Sequence, residues 1–107
     1  MDTGDNKVGE TRLIYWEWKL VGPAGDNQGY ARVRVWQAEL ATDWGTTRQA
    51  HVIQLYTTFP SAMDTEFDVE THLSYGERRV SEVIREGQSR FDDYAERMDE
   101  YQRSLQA

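Results

Sequence analysis

The chain contains no cysteine, which excludes disulfides, thiolate metal sites and a cysteine nucleophile. It has no run of 18 apolar residues, so no transmembrane helix is expected. No charged-then-apolar segment opens it; no secretory signal is expected, and the cytoplasm is the expected location. The motifs of the commonest catalytic and nucleotide sites are missing as well. There is no G-x-x-x-x-G-K phosphate loop, no G-x-G-x-x-G turn and no G-x-S-x-G elbow. Two histidines, His51 and His72, are too few and too far apart for an H-x-x-x-H zinc pair. These gaps leave no catalytic residues, no metal ligands and no cofactor to assign. Excess positive charge is lacking too. The net charge of −7 argues against bulk attraction to nucleic acid or an anionic membrane.

What is present is globular in composition. With 107 residues, 38% hydrophobic and 29% charged, the chain predicts one domain with a modest core. Residues 1–10 are polar and read as a loose terminus, leaving residues 11–107 as a single domain. The charge is uneven. Residues 61–107 hold twelve acids against six arginines, whereas residues 1–60 are nearly balanced.

Four stretches carry strand patterning. Residues 12–21 alternate, with Ile14, Trp16, Trp18 and Leu20 on the side read as core and Tyr15, Glu17 and Lys19 opposite. Residues 30–40 alternate too, but their apolar set shifts phase from Ala31, Val33 and Val35 to Trp36, Ala38 and Leu40. A β-bulge near Val35-Trp36 would keep both sets on one face. Residues 50–59 form a third strand and residues 64–73 a fourth, the latter with Asp64, Glu66, Asp68, Glu70 and His72 on one side. His51 and His72 fall on opposite faces in this reading. Ser74-x-x-Glu77 matches a helix capping box. Beyond it an apolar stripe runs from Val80 to Leu105 at helical spacing, with Gly87 as its weak point, where a kink would fall.

The expected architecture is α+β: a four-stranded antiparallel meander covered by a long C-terminal helix. Ten-residue strands span about 33 Å and a helix over residues 77–105 about 44 Å. The helix therefore kinks at Gly87 or projects beyond the sheet, carrying Tyr94, Met98, Tyr101 and Leu105 to another chain.

Three surfaces are candidates for binding. The helix stripe Tyr94, Met98, Tyr101 and Leu105 reads as a homodimer seam. The outer sheet face, with Tyr15, Lys19, Arg32, Arg34, Gln54 and Tyr56, sets aromatics among cations, which suits stacked bases or an acidic partner. The acidic row Asp64, Glu66, Asp68 and Glu70 either guards a sheet edge against pairing or mimics nucleic-acid charge. It does not suit one cation, since alternate strand residues lie about 6.7 Å apart. Trp44, in a turn, is an anchor or a cover for the sheet end.

Within residues 15–61, the segments Tyr15-Trp16-Glu17-Trp18-Lys19, Ala31-Arg32-Val33-Arg34-Val35 and Gln54-Leu55-Tyr56-Thr57-Thr58-Phe59-Pro60 resemble the C-terminal sheet of minor type II secretion pseudopilins. The resemblance covers less than half of the chain. It implies a subunit that assembles with sibling subunits. The family's N-terminal membrane helix has no counterpart here, and the acidic C-terminal helix has no place in that pattern.

The reading that follows is a small acidic, non-catalytic protein-interaction module, self-associating through its helix. The alternatives are an acidic inhibitor encoded by a phage or mobile element, a pseudopilin-like subunit, and a single-strand nucleic-acid binder that uses the sheet face.

Overall fold

The phase change in the second strand decides the architecture. The structure, a computed structural model, describes residues 8–63 and 65–105. In it β1 (Val8–Val21), β2 (Gly29–Ala41), β3 (Thr47–Thr58) and β4 (Glu66–Tyr75) form one antiparallel sheet in sequential order, followed by a helix, α1 (Val80–Ser104). The α+β meander read from the sequence is the observed fold.

Its faces differ from the expected ones. β2 pairs with β3 without interruption, so Val35 and Trp36 project to opposite sides. The irregularity lies on the neighbouring strand: Leu13 pairs with Trp36 and Tyr15 with Val35, leaving Ile14 as the extra residue. Each apolar set of β2 therefore serves its own face. Ala31, Val33 and Val35 are buried beneath α1, and Trp36, Ala38 and Leu40 lie on the side without a helix.

This reverses the reading of β1. Tyr15, Lys19 and Val21 lie on the helix side, while Trp16, Trp18 and Leu20 lie on the open side and remain about half exposed or more. Size explains the choice. α1 comes so close to β2 that a Cβ on Gly87 would stand 2.7 Å from Val35 Cγ2. Alanine and valine fit under such a helix and tryptophan does not. The core is Val21, Ala31, Val33, Val35, Ile53 and Leu55 from the sheet, with Val83, Phe91, Tyr94 and Ala95 from α1. Burying a side chain such as Phe91 contributes about 1.5–3 kcal/mol.

The boundaries also move. Val8–Glu10 belong to β1 rather than to the terminus, and residues 1–7 lie outside the described residues. Ser74 stays in β4, so the capping box is not used. Gly76, at φ 100°, turns the chain, and Arg79 opens the helix with no side-chain cap. α1 runs unbroken through Gly87. Its 25 residues span about 37 Å. The strands, of 10 to 14 residues, span about 33–46 Å. The overhang expected from the sequence vanishes because the longer strands outrun the helix.

The helix end is fastened down. Asp99 accepts a hydrogen bond from the Gly22 amide at 2.7 Å, and Arg103 bonds Asp99 at 3.0 Å and donates to the Gly22 carbonyl at 3.4 Å. Gly22 sits at φ 81° with its Cα against Gln102, a conformation and an approach that a side chain would obstruct.

Candidate interaction surface

The face opposite α1 carries the unusual chemistry. Successive rungs place Trp18 beside Arg32 and Tyr56, then Trp16 beside Arg34, Gln54 and Thr71, then Leu13 beside Trp36, Val52 and Leu73, then Thr11 beside Ala38, Ala50 and Tyr75. Trp16 is 61% and Trp18 48% exposed, and Leu13, Leu20, Leu73 and Tyr75 are similarly open. Lone exposed apolar residues are ordinary; a contiguous row of them on one sheet face is not.

Relief across this face is uneven. At the Trp16–Trp18 end the tryptophans stand proud at the β1 edge. At the other end Ala38 and Ala50 are buried and form a floor, with Trp36, Leu40, Leu73 and Tyr75 around them. The hollow is about 400 Å³ and predominantly apolar. Trp36 Nε1 donates to Gln54 Oε1 at 3.3 Å, fixing the indole as one wall.

Cations on this face sit over rings. The Arg34 guanidinium is 4.4 Å from the Tyr56 ring centre and bonds Glu66 at 2.6 Å. Arg48 sits 4.4 Å from the Tyr75 ring centre. Arg32 lies 5.6 Å from the Tyr30 ring centre and donates from Nε to Thr58 at 3.1 Å. Trp18 meets Tyr30 edge-on at 5.4 Å. Stacked and partly neutralised in this way, the arginines extend an aromatic surface more than they offer free forks to phosphate.

The expected sheet-face set is divided by the sheet. Arg32, Arg34, Gln54 and Tyr56 share the open face. Tyr15 and Lys19 belong to the helix side: Gln88 donates to the Tyr15 hydroxyl at 3.5 Å, and Lys19 lies 3.7 Å from Asp92 and 5.2 Å from the Phe91 ring centre. The Tyr15 hydroxyl donates to Glu17 at 2.5 Å, and burial, then that carboxylate, push its pKa up.

The acidic row does not exist as a row. β4 shifts register between Phe67 and Glu70, with Asp68 at φ 51°. Glu66 thereby reaches Arg34 on the open face. Glu70 stays on the helix side, where Arg97 bonds it at 2.9 and 3.4 Å and lowers its pKa. Asp64 lies outside the described residues. The same register brings His72 opposite Ile53, so both histidines project toward the helix side, contrary to the opposite faces expected. His51 is buried, and neither ring nitrogen finds a hydrogen-bond partner among the described residues.

The helix stripe is mostly used within the chain. Tyr94 is fully buried and Met98 packs against the core, while Tyr101 and Leu105 remain exposed. Trp44 does not fold back over the sheet; it is 87% exposed at the β2–β3 turn.

Sequence reasoning missed Trp16, Trp18 and Trp36 as surface residues because it assigned them to the core. The signal was present in β2, which is apolar on both faces. One helix covers one face, so one of the two sets had to stay uncovered. Among the described residues no group of three or more acids and histidines is placed to share a metal ion, and no helix is long and apolar enough to cross a membrane. Comparisons with protein-family models, with curated proteins and with solved structures find no match.

Proposed function

We propose that the protein is a non-catalytic protein-interaction module whose docking surface is the open face of its sheet. The observation that carries this reading is the row of exposed tryptophans and leucines on a face that no element among the described residues covers. Tryptophan, tyrosine and arginine are the residues that dominate binding energy at protein interfaces, and here they are set on one hydrogen-bonded sheet. The surface differs from the helix seam read in the sequence. Tyr94 and Met98 are packed in the chain's own core, and Tyr101 and Leu105 alone are a small patch.

A protein partner fits better than a nucleic acid. The aliphatic residues Leu13, Leu20, Val52, Val69 and Leu73 interrupt the aromatics, and the arginines are stacked or paired. Site-specific photo-cross-linking in the source cell tests the reading, with the photoreactive residue placed at Leu73 or, as the reference, at Ser89 on the outer side of α1. Protein adducts of discrete mass from position 73 and not from 89 are expected. Adducts from 89 alone, or nucleic-acid adducts from 73, would overturn it.

A further inference from the structure

We infer that the occupant of the open face is a second copy of this chain, packed sheet against sheet about a two-fold axis. The inference rests on the reading of this face as a docking surface and adds the identity of the partner.

Shape is the first argument. The protruding tryptophans stand at one end of the face and the alanine-floored hollow at the other, separated along β2 by the rungs from Arg32 to Ala38. A two-fold axis lying in the plane of the face and running across the strands exchanges its two ends. Trp16 and Trp18 of each copy then stand over Thr11, the β1 rim of the other's hollow, one strand spacing of about 4.8 Å from its Ala38 floor. A surface that carries both a knob and its hole at symmetric positions is what an isologous interface requires. The geometry is that of an aligned β-sandwich, in which side chains of two sheets interdigitate across about 10 Å.

Area is the second. Four strands at about 4.8 Å spacing and about 40 Å length cover roughly 750 Å² per copy, close to the ~800 Å² per partner of a stable interface. Charge is the third. Seven of the chain's nineteen acids lie on α1, on the far side of the sheet. Glu66, on the open face, is already held by Arg34. Pairing by the sheet turns the acidic helices outward, where they repel least; pairing by the helices would bring them together.

Sedimentation equilibrium on the full chain at micromolar to submillimolar concentration is the test. The expected result is a species of twice the 12.5 kDa chain mass. Trp16→Glu at the knob and Leu73→Glu at the hollow should each weaken the dimer about 30-fold or more. Both residues are exposed, so both variants should fold, which circular dichroism verifies. Trp44→Glu, an equal apolar loss outside the face, should leave association unchanged. Mixing the two weakened variants should restore part of the affinity, because the mixed pair keeps one intact knob-and-hole contact.

A monomer throughout the range would overturn the second copy as occupant and leave the docking reading to its cross-linking test. A dimer indifferent to both substitutions would overturn the inference and place self-association elsewhere on the molecule. Absence of recovery in the mixture would overturn the knob-into-hollow arrangement.

Discussion

The hydroxyl of Tyr94 donates to the backbone carbonyl of Asp68 at 3.0 Å and accepts from the hydroxyl of Thr57 at 2.8 Å. Asp68 is where β4 slips register, and a bulge frees backbone groups from the ladder. Tyr94, fully buried in α1, therefore ties the helix to the irregular point of the edge strand. Burial pushes its pKa up to about 12, so the phenol stays a donor at any ordinary pH.

Tyr94→Phe should keep the ring packing and strand both partners. A buried donor or acceptor left unpaired costs about 1–3 kcal/mol, which urea unfolding will read as a lower midpoint with an unchanged slope. Amide exchange in β4 should rise more than in β2. Equal stability of the variant and the parent would mean that the bulge is held by the Arg97–Glu70 pair instead.

At Gly87 the helix packs closely on the sheet. Alanine in a helix interior is normally favoured over glycine by about 1 kcal/mol. Here the added methyl would stand 2.7 Å from Val35 Cγ2. Overpacking costs about 1–3 kcal/mol, so Gly87→Ala should lower stability despite its better propensity. Val35→Ala in the same chain should recover part of the loss, and a double-mutant cycle measures the coupling.

Asp99 anchors the last turns of α1 to the β1–β2 turn. The Gly22 amide, then Arg103, hold its carboxylate below the usual aspartate range. Asp99→Ala should release the helix end while sparing its middle. Hydrogen exchange should accelerate over residues 99–105 and at Gly22, with little change at Phe91. Acceleration along the whole helix would instead show that α1 opens as one unit.

Much of this fold can be read from period and spacing alone. Four alternating stretches, their order and the terminal helix are local patterns, and short connections make neighbours pair. Orientation of the faces is not local. In β1 the aromatic set Trp16 and Trp18 is more apolar than Tyr15 and Lys19, yet the latter lie under the helix because Gly87 and Ala95 admit little bulk above Ala31, Val33 and Val35. Lys19 tolerates that place by laying its stem over Phe91 and reaching Asp92. The acidic row failed for a related reason. Strict alternation from residue 64 to residue 73 implies one register, and a single left-handed residue, Asp68, reverses the faces on either side of it.

His51 is the last group whose behaviour the burial pattern dictates. It is 1% exposed on the helix side of β3, and its ring nitrogens have no hydrogen-bond partner among the described residues. Burial, then the nearby charge of Arg78, hold its pKa below the ordinary 6.5. The folded chain therefore keeps it neutral after the unfolded chain has begun to protonate. Its contribution to stability is intact above the ordinary value. It falls as pH drops below that value, and is fully lost once pH passes the depressed folded one. The carboxylates Glu70 and Glu86, lowered by Arg97 and Arg90, lose their share only below the usual carboxylate range. The wild-type chain should thus weaken in two stages on acidification, and His51→Leu should remove the first. Urea midpoints measured at about pH 7.5, 6 and 5 will separate the stages. The variant's midpoint should stay level across these values while that of the parent declines. A parallel decline in both would place the first stage on another group.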